Sequence, residues 1–380
     1  MTRISLSNKN ILLISPQKWG EMHLSKHHYA IELAKRGNTV YFLNPFDINQ
    51  KKRFIIKQHE EYKELYIVTY KPLFPLVIRF HFRWLFDFLM QFQVKMLLLR
   101  IGRKIDIVWC FEPNLYSNLN LFKADLNIFH PVDQLNYDYQ FNIASSAHVV
   151  FSVSDVILNR LKTRKVQQYF INHGLSEHFE EQCRNGMIKK TPAGQMVKIG
   201  YAGNLFMGHL DRNVMKSIIV ENPDVSFFFW GPYRLEDSYV SGYVTDEIRA
   251  FIRFLSDSKN VTLKGVKQPK ELADEICDID GFLVCIDPEA DPNKGSNSHK
   301  ILEYLSTGKV VISNYISSYS DKRDLIAMVD ENSNSKLPDL FKKVISNLSS
   351  YNSIEFQKKR IEFALDNTYA KQIDRIETYL

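Results

Sequence analysis

The chain has 380 residues, of which 45% are hydrophobic and 24% are charged, and its formal net charge at pH 7 is +6. Such a length and composition predict a soluble globular protein with two domains and large buried cores. The first ten residues, MTRISLSNKN, are too polar for a signal peptide, so we expect none, and no stretch reaches the roughly 18 apolar residues that a membrane span needs. The four cysteines lack paired or metal-ligand spacing, so we expect reduced thiols in a cytoplasmic protein.

The first half of the chain alternates apolar, strand-like runs with helical patterns. The segment LSKHHYAIELAKRG (24–37) predicts a helix that Gly37 closes. The predicted strands are NILLIS (10–15), NTVYFLNP (38–45), ELYIVTY (64–70), IDIVWCF (105–111), LNIFH (126–130), AHVVFSV (147–153) and YFIN (169–172). This alternation is typical of a parallel, doubly wound sheet.

A charged segment rich in Gly and Pro, EEQCRNGMIKKTPAGQ (180–195), interrupts the pattern before a second alternating series begins. The strands predicted there are 197–203, 225–231, 261–265, 281–286, 310–313 and 326–330. We therefore predict a Rossmann-like domain over 1–180, a linker over 181–195 and a second Rossmann-like domain over 196–352. Helices over 353–380 would pack back on the first domain. The two sheets would face a central cleft, because such sheets bind ligands beyond the carboxyl ends of their strands.

The stretch SNSHKILEYLSTGKVVIS (296–313) predicts a helix between two buried strands, with a polar start and an end at Gly308. Ser296, Asn297 and Ser298 can cap it. His299 and Lys300 then place cations in the first turn, where the helix dipole disfavours them unless an anion is bound. Glu303 lies one turn further on the same face and can accept hydrogen bonds from the vicinal hydroxyls of a ribose. The alternative is a plainly capped helix with a Lys300–Glu303 surface pair.

This stretch resembles the donor-binding helix of glycosyltransferases with the GT-B fold, in which two Rossmann-like domains face each other. IGYAGNLFMGHLD (199–211) and NVTLKGVKQPKELADEI (260–276) resemble further segments of their second domain. Segments 15–45, 106–114, 128–138, 149–161, 171–179 and 360–380 resemble bacterial transferases of the teichuronic-acid and xanthan type. The resemblance covers nearly the whole chain in collinear order.

The resemblance implies a set of donor-binding roles. Lys300 would pair with the donor diphosphate, the backbone around Ser298 and His299 would cradle it, and Glu303 would hold the ribose. Gly203 and Asn204 would form the turn that approaches the phosphates, and Val266 would offer its backbone to the base. Tyr233 and Arg234 would cover the nucleotide, although an ordinary surface loop is the stronger interpretation of that pair.

Many retaining members of the fold carry two glutamates eight apart, and here the first position is Gly295. An inverting displacement therefore fits better, with a base in the first domain. Asp133 is the candidate base, and a helix N-cap is its alternative role. Glu21 and His23 are rival bases, and His173 is a candidate hinge or substrate contact.

The basic character of the chain belongs to segment 71–104, which has seven basic residues and one acidic residue among many Phe, Trp and Leu. This mixture predicts an amphipathic helix on an anionic membrane surface. A buried helix pair with solvated Lys and Arg is the alternative.

We therefore expect an inverting, metal-independent glycosyltransferase that takes its sugar from a UDP-sugar or, as second choice, a GDP-sugar. The acceptor would be a bacterial cell-surface polysaccharide or a lipid-linked glycan. We predict no cofactor, no metal site and no nucleic-acid partner, and a cytoplasmic protein that can lie on the inner face of the membrane. A sugar-nucleotide epimerase of the same fold and a degenerate nucleotide-sugar-binding subunit remain as alternatives.

Overall fold

The computed structural model describes residues 4–20, 23–133, 139–162, 166–185, 195–237, 244–291, 297–330 and 333–380. The chain divides into two compact units, Met1–Asn172 with Tyr369–Leu380, and His173–Thr368. We call them the first unit and the second unit. No helix within the described ranges is both long enough and apolar enough to cross a membrane.

The strands of the described residues are short apolar segments. In chain order they are β1 (Asn10–Ile14), β2 (Thr39–Leu43), β3 (Phe54–Gln58), β4 (Leu65–Tyr70), β5 (Ile107–Cys110), β6 (Leu126–Phe129), β7 (Val149–Ser152), β8 (Gln167–Phe170), β9 (Val197–Ala202), β10 (Val225–Trp230), β11 (Val261–Gly265), β12 (Gly281–Val284), β13 (Val310–Ser313) and β14 (Ile326–Met328).

The helices of the described residues lie mostly between these strands. They are α1 (Ser25–Lys35), α2 (Ile78–His81), α3 (Arg83–Ile101), α4 (Tyr139–Ser146), α5 (Asp155–Leu161), α6 (Glu177–Asn185), α7 (Arg212–Glu221), α8 (Asp246–Asp257), α9 (Pro269–Ile276), α10 (Lys300–Ser306), α11 (Leu337–Ser346), α12 (Leu348–Tyr351), α13 (Ile354–Asp366) and α14 (Tyr369–Glu377).

Each unit is built on one sheet. The first unit has an eight-stranded sheet in the order β3-β4-β2-β1-β5-β6-β7-β8, and the second a six-stranded sheet in the order β11-β10-β9-β12-β13-β14. All described strand pairs are parallel except β3–β4, which is antiparallel. The two doubly wound sheets confirm the predicted α/β class, with one antiparallel edge strand added.

Both faces of the first sheet are covered by helices, which explains its long apolar runs. Along β1, Leu12 and Ile14 point into the core that contains α3, α4 and α5. Ile11 and Leu13 point into the opposite core with α1 and α14. The second sheet is covered in the same way, by α7, α8 and α11 on one face and by α6, α9, α10 and α13 on the other. Every strand in the middle of a sheet is therefore buried on both sides.

The structure differs from the sequence prediction at three places. β3 was not predicted. The boundary between the units falls at Asn172/His173, before the predicted 180/181, and α6 belongs to the second unit. The helices of the tail 353–380 belong to different units, because α13 lies in the second unit and α14 in the first. α14 packs against α1, where the guanidinium of Arg36 donates to Asp374 Oδ1 at 2.7 Å.

Candidate functional site

Three neighbouring strands of the second sheet, β9, β10 and β11, end in glycine at the same edge. Gly203 and Gly231 follow β9 and β10, and Gly265 is the last residue of β11. The N–H of Gly203 donates to the carbonyl of Trp230 at 2.8 Å, and the N–H of Gly231 donates to the carbonyl of Gly265 at 2.9 Å. At the carboxyl ends of β9, β10 and β11, the backbones of the three glycines therefore lie side by side with no side chains between them.

Gly231 has to be glycine, because its φ is +137° and a Cβ there would collide with the carbonyl oxygen of Gly203. The sequence analysis did not single out Gly231. The signal was present, since a glycine follows the apolar run VSFFFW in the same way as Gly203 follows VKIGYA. Gly231 is therefore a second glycine that packs against the turn predicted at Gly203 and Asn204.

A buried arginine binds the backbone of the turn after β9. The guanidinium of Arg212 donates to the carbonyls of Leu205, Met207 and Leu210 at 3.3, 2.6 and 3.3 Å. The side chain of Asn204 is used inside the turn, where its Oδ1 accepts the N–H of Phe206 at 2.9 Å. The turn is therefore fixed by internal hydrogen bonds, and its backbone shape does not depend on a ligand.

The predicted donor helix is present as α10, with the expected end at Gly308, which has a φ of +75°. Its start differs from the prediction, because His299 occupies the N-cap position and already has helical dihedral angles. Ser296, one of the predicted caps, lies outside the described ranges. Ser298 Oγ lies 3.4 Å from the N–H of Lys300. α10 has only seven residues, so its dipole is small and the side chains must carry any binding of an anion.

The charged side chains at the start of α10 lie near one another without forming hydrogen bonds. Lys300 Nζ lies 3.7 Å from Glu303 Oε2, and His299 Nε2 lies 3.7 Å from Glu303 Oε1. Both distances exceed hydrogen-bonding range. Glu303 Oε2 is buried and has no hydrogen-bond partner among the described residues. The surface pair that the sequence left open as an alternative is therefore weak, and Glu303 keeps an acceptor that a ligand can use.

Tyr304 joins α10 to the end of β9. Its hydroxyl accepts the N–H of Ala202 at 2.7 Å and donates to the carbonyl of the same residue at 3.1 Å. Its ring stacks on Phe282 of β12 with a centroid distance of 4.3 Å. The sequence analysis missed this residue, because a tyrosine inside a helix carries no sign of its partner. Tyr304 fixes Lys300 and Glu303 relative to the turn at Gly203.

His173 was predicted within the first domain, and the structure places it at the start of the second unit. Its Nε2 lies 2.8 Å from the carbonyl oxygen of Asn297, just before α10. Its ring approaches that of His299 with a centroid distance of 6.0 Å. His173 thus supports the start of the predicted donor helix.

The loop after β10 lies beside the loop after β11. The N–H groups of Tyr233 and Arg234 both donate to Asp237 Oδ2 at 2.9 Å, and the guanidinium of Arg234 lies over the Tyr233 ring. A Cβ on Gly265 would lie 3.6 Å from that ring. Val266 follows and is 42% exposed. Tyr233 is therefore next to the backbone that the sequence assigns to the nucleotide base.

The first unit carries the candidate bases. Asp133 is exposed and follows β6, and the residues directly after it lie outside the described ranges, as does Glu21. His23 follows β1, and its ring packs against Trp19 and His27 at centroid distances of 5.2 and 5.5 Å. The structure brings the predicted donor residues together at one edge of the second unit and places Asp133 and His23 in the first.

Two further charged residues near Asp133 were not predicted. Lys26 lies in the first turn of α1 and Glu112 follows β5. Burial lowers the pKa of Lys26 to about 8, against the opposing influence of Asp133 and Glu112. Burial also raises the pKa of the Glu112 carboxyl. Sequence reasoning could not find this group, because its members are far apart in the chain.

No family model matches the chain, and no curated protein matches it. Solved structures do match over nearly the full length. Sucrose-phosphate synthase from Thermosynechococcus elongatus is 11% identical with a TM-score of 0.65 and 98% coverage of both chains. HepE from Anabaena, in complex with UDP and glucose, is 12% identical with a TM-score of 0.61 and covers 98% of this chain and 100% of its own. The lipopolysaccharide outer core galactosyltransferase WaaB is 16% identical with a TM-score of 0.63 and the same coverages. These similarities confirm the fold predicted from the sequence: the chain has the GT-B fold, with two Rossmann-like domains.

Proposed function

We propose that the chain is a glycosyltransferase that moves a sugar from a nucleotide-diphosphate sugar to a glycan acceptor. A UDP-sugar is our first choice of donor and a GDP-sugar the second. The acceptor is a bacterial cell-surface polysaccharide or a lipid-linked glycan, as the resemblance to teichuronic-acid and xanthan transferases implies. The similar structures support a nucleotide donor, since HepE was solved with UDP and glucose, and starch synthase IV from Arabidopsis thaliana with ADP and acarbose.

The observation that carries this proposal is the unsatisfied first turn of α10. Lys300 and Glu303 lie too far apart for a hydrogen bond, and Glu303 Oε2 is buried without a hydrogen-bond partner among the described residues. A buried carboxylate oxygen costs free energy unless a donor reaches it. Ribose hydroxyls supply such donors, and a diphosphate supplies the anion that Lys300 needs.

The glycine-ended strands complete the proposed donor site. The N–H groups of Gly203 and Gly231 already donate within the sheet edge, and the missing side chains let these strand ends pack closely. We therefore assign the phosphates to the backbone of the turn that begins at Gly203 and Asn204. Tyr233 lies against Gly265, next to the exposed backbone of Val266. We assign the base to this position, where its edge can pair with the backbone and its face with the Tyr233 ring.

In the proposed reaction an acceptor hydroxyl oxygen forms a bond to the anomeric carbon of the donor sugar. The bond between that carbon and the diphosphate oxygen breaks, and the nucleoside diphosphate leaves with the electron pair. The hydroxyl proton passes to a carboxylate, for which we propose Asp133. Lys300 stabilises the charge that develops on the leaving diphosphate. We propose inversion at the anomeric carbon, because Gly295 stands where retaining members carry a glutamate.

A thermal-shift panel with UDP, GDP and CDP tests the donor site. UDP should raise the unfolding temperature of the wild type and should fail to do so in Lys300→Ala. The matched control is Lys342→Ala, which removes a surface lysine of the same unit that pairs with Glu221. Stabilisation by GDP alone would correct the base, and no stabilisation by any of the three would contradict the proposal.

A turnover assay separates the transferase from the two alternatives. Release of UDP from a UDP-sugar should require an added glycan acceptor. An epimerase would change the sugar of the donor without an acceptor. A degenerate subunit would bind the nucleotide and turn nothing over.

We further propose that α2 and α3 rest on an anionic membrane surface. Their outward face is a continuous row of apolar side chains at four-residue spacing. Phe80, Trp84, Phe88, Phe92 and Met96 form this row, and all five are exposed, Trp84 at 72%. Residues four apart are neighbours on a helix, so Trp84, Phe88, Phe92 and Met96 form one contiguous apolar stripe along α3. Phe80 precedes this stripe in α2, before the non-helical Phe82. Single exposed apolar residues are common on protein surfaces, whereas a contiguous apolar stripe of this length indicates a binding surface.

The charges around this stripe favour anionic lipid over a protein partner. Lys95, Arg100 and Arg103 are exposed and form no ion pair with the described residues. Arg83, which the sequence grouped with them, instead binds Asp87 at 2.9 Å and the carbonyl of Asn114 at 3.1 Å, so we exclude it from the lipid-facing set. Aromatic and basic side chains together suit the interface of a negatively charged bilayer.

Co-sedimentation with phosphatidylglycerol vesicles tests this surface. Replacing Lys95, Arg100 and Arg103 with Gln should weaken binding by roughly 3 kcal/mol, or about 100-fold, because each surface charge contributes about 1 kcal/mol. The matched control replaces Lys51, Lys52 and Arg53, three exposed basic residues of the same unit, and should bind like the wild type. Absence of wild-type binding at low salt would contradict the membrane proposal and leave the donor proposal intact.

A further inference from the structure

One carboxylate of α9 connects the segments that surround the proposed base position. Glu275 Oε2 accepts the indole N–H of Trp230 at 2.8 Å, and Glu275 Oε1 lies 2.7 Å from Lys267 Nζ. Trp230 is the last residue of β10, and Lys267 lies between β11 and α9. We call residues 266–268, which form this connection, the base loop. Glu275 therefore joins the end of β10 and the base loop to α9.

The stability of α9 does not explain why a carboxylate stands at position 275. Glu275 lies in the last turn of the helix, where the dipole disfavours a negative charge. Burial acts to raise its pKa, but the hydrogen bonds from Lys267 and Trp230 outweigh this effect and lower the pKa. The side chain is therefore ionised at neutral pH, and a donor on each oxygen holds it in one orientation.

The base loop presents backbone groups that the described residues leave unused. Neither the N–H nor the carbonyl of Val266 forms a hydrogen bond with another described residue, and its side chain is exposed. On one side of Val266, the carbonyl of Gly265 accepts the N–H of Gly231 at 2.9 Å. On the other side, Lys267 binds Glu275. The orientation of the Val266 backbone is therefore set by one anchor after β10 and one on α9.

The orientation of a backbone group matters for the choice of base, because bases of equal size differ in their edges. Uracil offers an N–H donor beside its O4 acceptor, whereas cytosine offers a ring-nitrogen acceptor beside its N4 donor. A backbone N–H and carbonyl in fixed positions match one of these patterns and leave unpaired groups against the other. A loop without its anchor can turn to fit either base and discriminates less.

We propose that Glu275 is a positioning residue that orients the Val266 backbone through Lys267 and thereby sets which nucleotide base the donor site accepts. Base choice then depends on a carboxylate that does not touch the base. Both side chains of the pair are 28% exposed, and ion pairs at such positions contribute little to global stability. Loss of the pair therefore alters the base loop more than it alters the folding of the second unit. The inference rests on the proposed nucleotide-sugar donor site.

Dissociation constants of UDP, CDP and GDP, measured by calorimetry on the full chain, test this inference. The wild type should bind the preferred nucleotide at least about tenfold more tightly than the least preferred one, because one hydrogen bond to the base accounts for about that factor. Glu275→Gln keeps an acceptor for Trp230 and loses the ion pair, so the preference should fall by about threefold or more. A purely structural loss would weaken all three nucleotides by one common factor and keep their ratios.

A second variant removes the same ion pair from its other end. Lys267→Met should lower the preference as much as Glu275→Gln does, and the double variant should lower it no further, because the two side chains act as one unit. The matched control is Asp274→Asn. Asp274 is the exposed neighbour of Glu275 on α9 and forms no ion pair within the described part of the chain, so the ratios should stay at their wild-type values.

The outcomes separate this inference from the donor proposal. Wild-type ratios in both Glu275→Gln and Lys267→Met, or a wild type without base preference, would overturn the inference and leave the donor site intact. Loss of all nucleotide binding in Lys267→Met would also overturn it, because Lys267 would then contact the donor itself. A wild type that binds none of the three nucleotides would contradict the donor site and the inference together.

Discussion

At the scale of single residues, the hydroxyl of Tyr304 is the most informative group of the proposed donor site. It satisfies both backbone groups of Ala202, which lie at the buried end of β9. Tyr304→Phe leaves the ring stacked on Phe282 and removes only these hydrogen bonds. We expect the second unit to lose roughly 1–2 kcal/mol of unfolding free energy, because a buried N–H is left without a partner.

Urea unfolding followed by tryptophan fluorescence measures this loss, with the contribution of Trp230 taken as the difference from the same protein carrying Trp230→Phe, whose remaining tryptophans lie in the first unit. The control is Tyr351→Phe, whose hydroxyl makes no described hydrogen bond and whose removal should be nearly neutral. Tyr304→Phe should also weaken UDP binding, since α10 is no longer fixed to the turn at Gly203. Unchanged stability and unchanged UDP binding would show that the phenol does not fix the two elements together.

His27 makes the first unit sensitive to acid. Its Nδ1 accepts the N–H of Leu24 at 3.0 Å, so its Nε2, 3.1 Å from the carbonyl of Lys18, carries the proton. Burial favours this neutral form and lowers the pKa of His27 from 6.5 to about 4. Between these two values the unfolded chain binds a proton that the folded unit does not. The first unit should therefore lose stability as pH falls from about 6.5 to about 4, by up to about 3 kcal/mol.

The measurement is urea unfolding at pH 7 and pH 5 in a Trp230→Phe background, where the remaining tryptophans all lie in the first unit. In His27→Gln the difference in unfolding free energy between the two pH values should shrink. A variant with the same pH dependence as the parent would assign the acid sensitivity to another group.

The residue-scale predictions also show what the sequence could and could not reveal about the sites. Lys300 and Glu303 could be found, because they are three apart on one helix whose position in the chain was evident. Lys26, Glu112 and Asp133 could not, because their proximity depends on β1, β5 and β6 being neighbours in the sheet. Spacing along the chain carries no record of strand order.

At the scale of elements, the strands with the clearest sequence signal are those buried on both faces. β1, β12 and β13 are apolar runs because helices cover both sides of the sheet. β3 was missed because it is an antiparallel edge strand with mostly exposed side chains, and it lies between the charged groups of KKRFIIKQHEE. Edge strands carry polar and charged residues that blunt their pairing potential, which removes the apolar signal.

A buried arginine of α13 stabilises the end of α10 and its surroundings. The guanidinium of Arg360 donates to the carbonyls of Gly308, Leu325 and Tyr351 at 3.1, 2.9 and 2.8 Å. Arg360→Met should destabilise the second unit by about 3 kcal/mol, because three buried carbonyls lose their donor. Lys359→Met, at the neighbouring exposed position, should change the unfolding free energy little. Equal stability of the two variants in urea would show that water replaces the guanidinium at these carbonyls.

At the scale of the whole molecule, the chain consists of two units with separate cores, and the proposed donor site uses residues of the second unit alone. A ligand stabilises only the states that bind it, by about 2.7 kcal/mol when its concentration is 100 times its dissociation constant. If the two units unfold independently, UDP will therefore protect amides of the second unit and leave those of the first unit unchanged.

Hydrogen exchange with and without UDP shows, residue by residue, whether the two units unfold independently or together. We expect slower exchange in α10, in the turn after β9 and throughout the core strands of the second unit, with no change in β1, β5 or α1. Lys300→Ala under the same UDP concentration is the control and should exchange like the free protein. Protection of the first unit to the same degree would mean that both units open in one cooperative step, because a ligand confined to one unit can stabilise the other only through a shared unfolding transition.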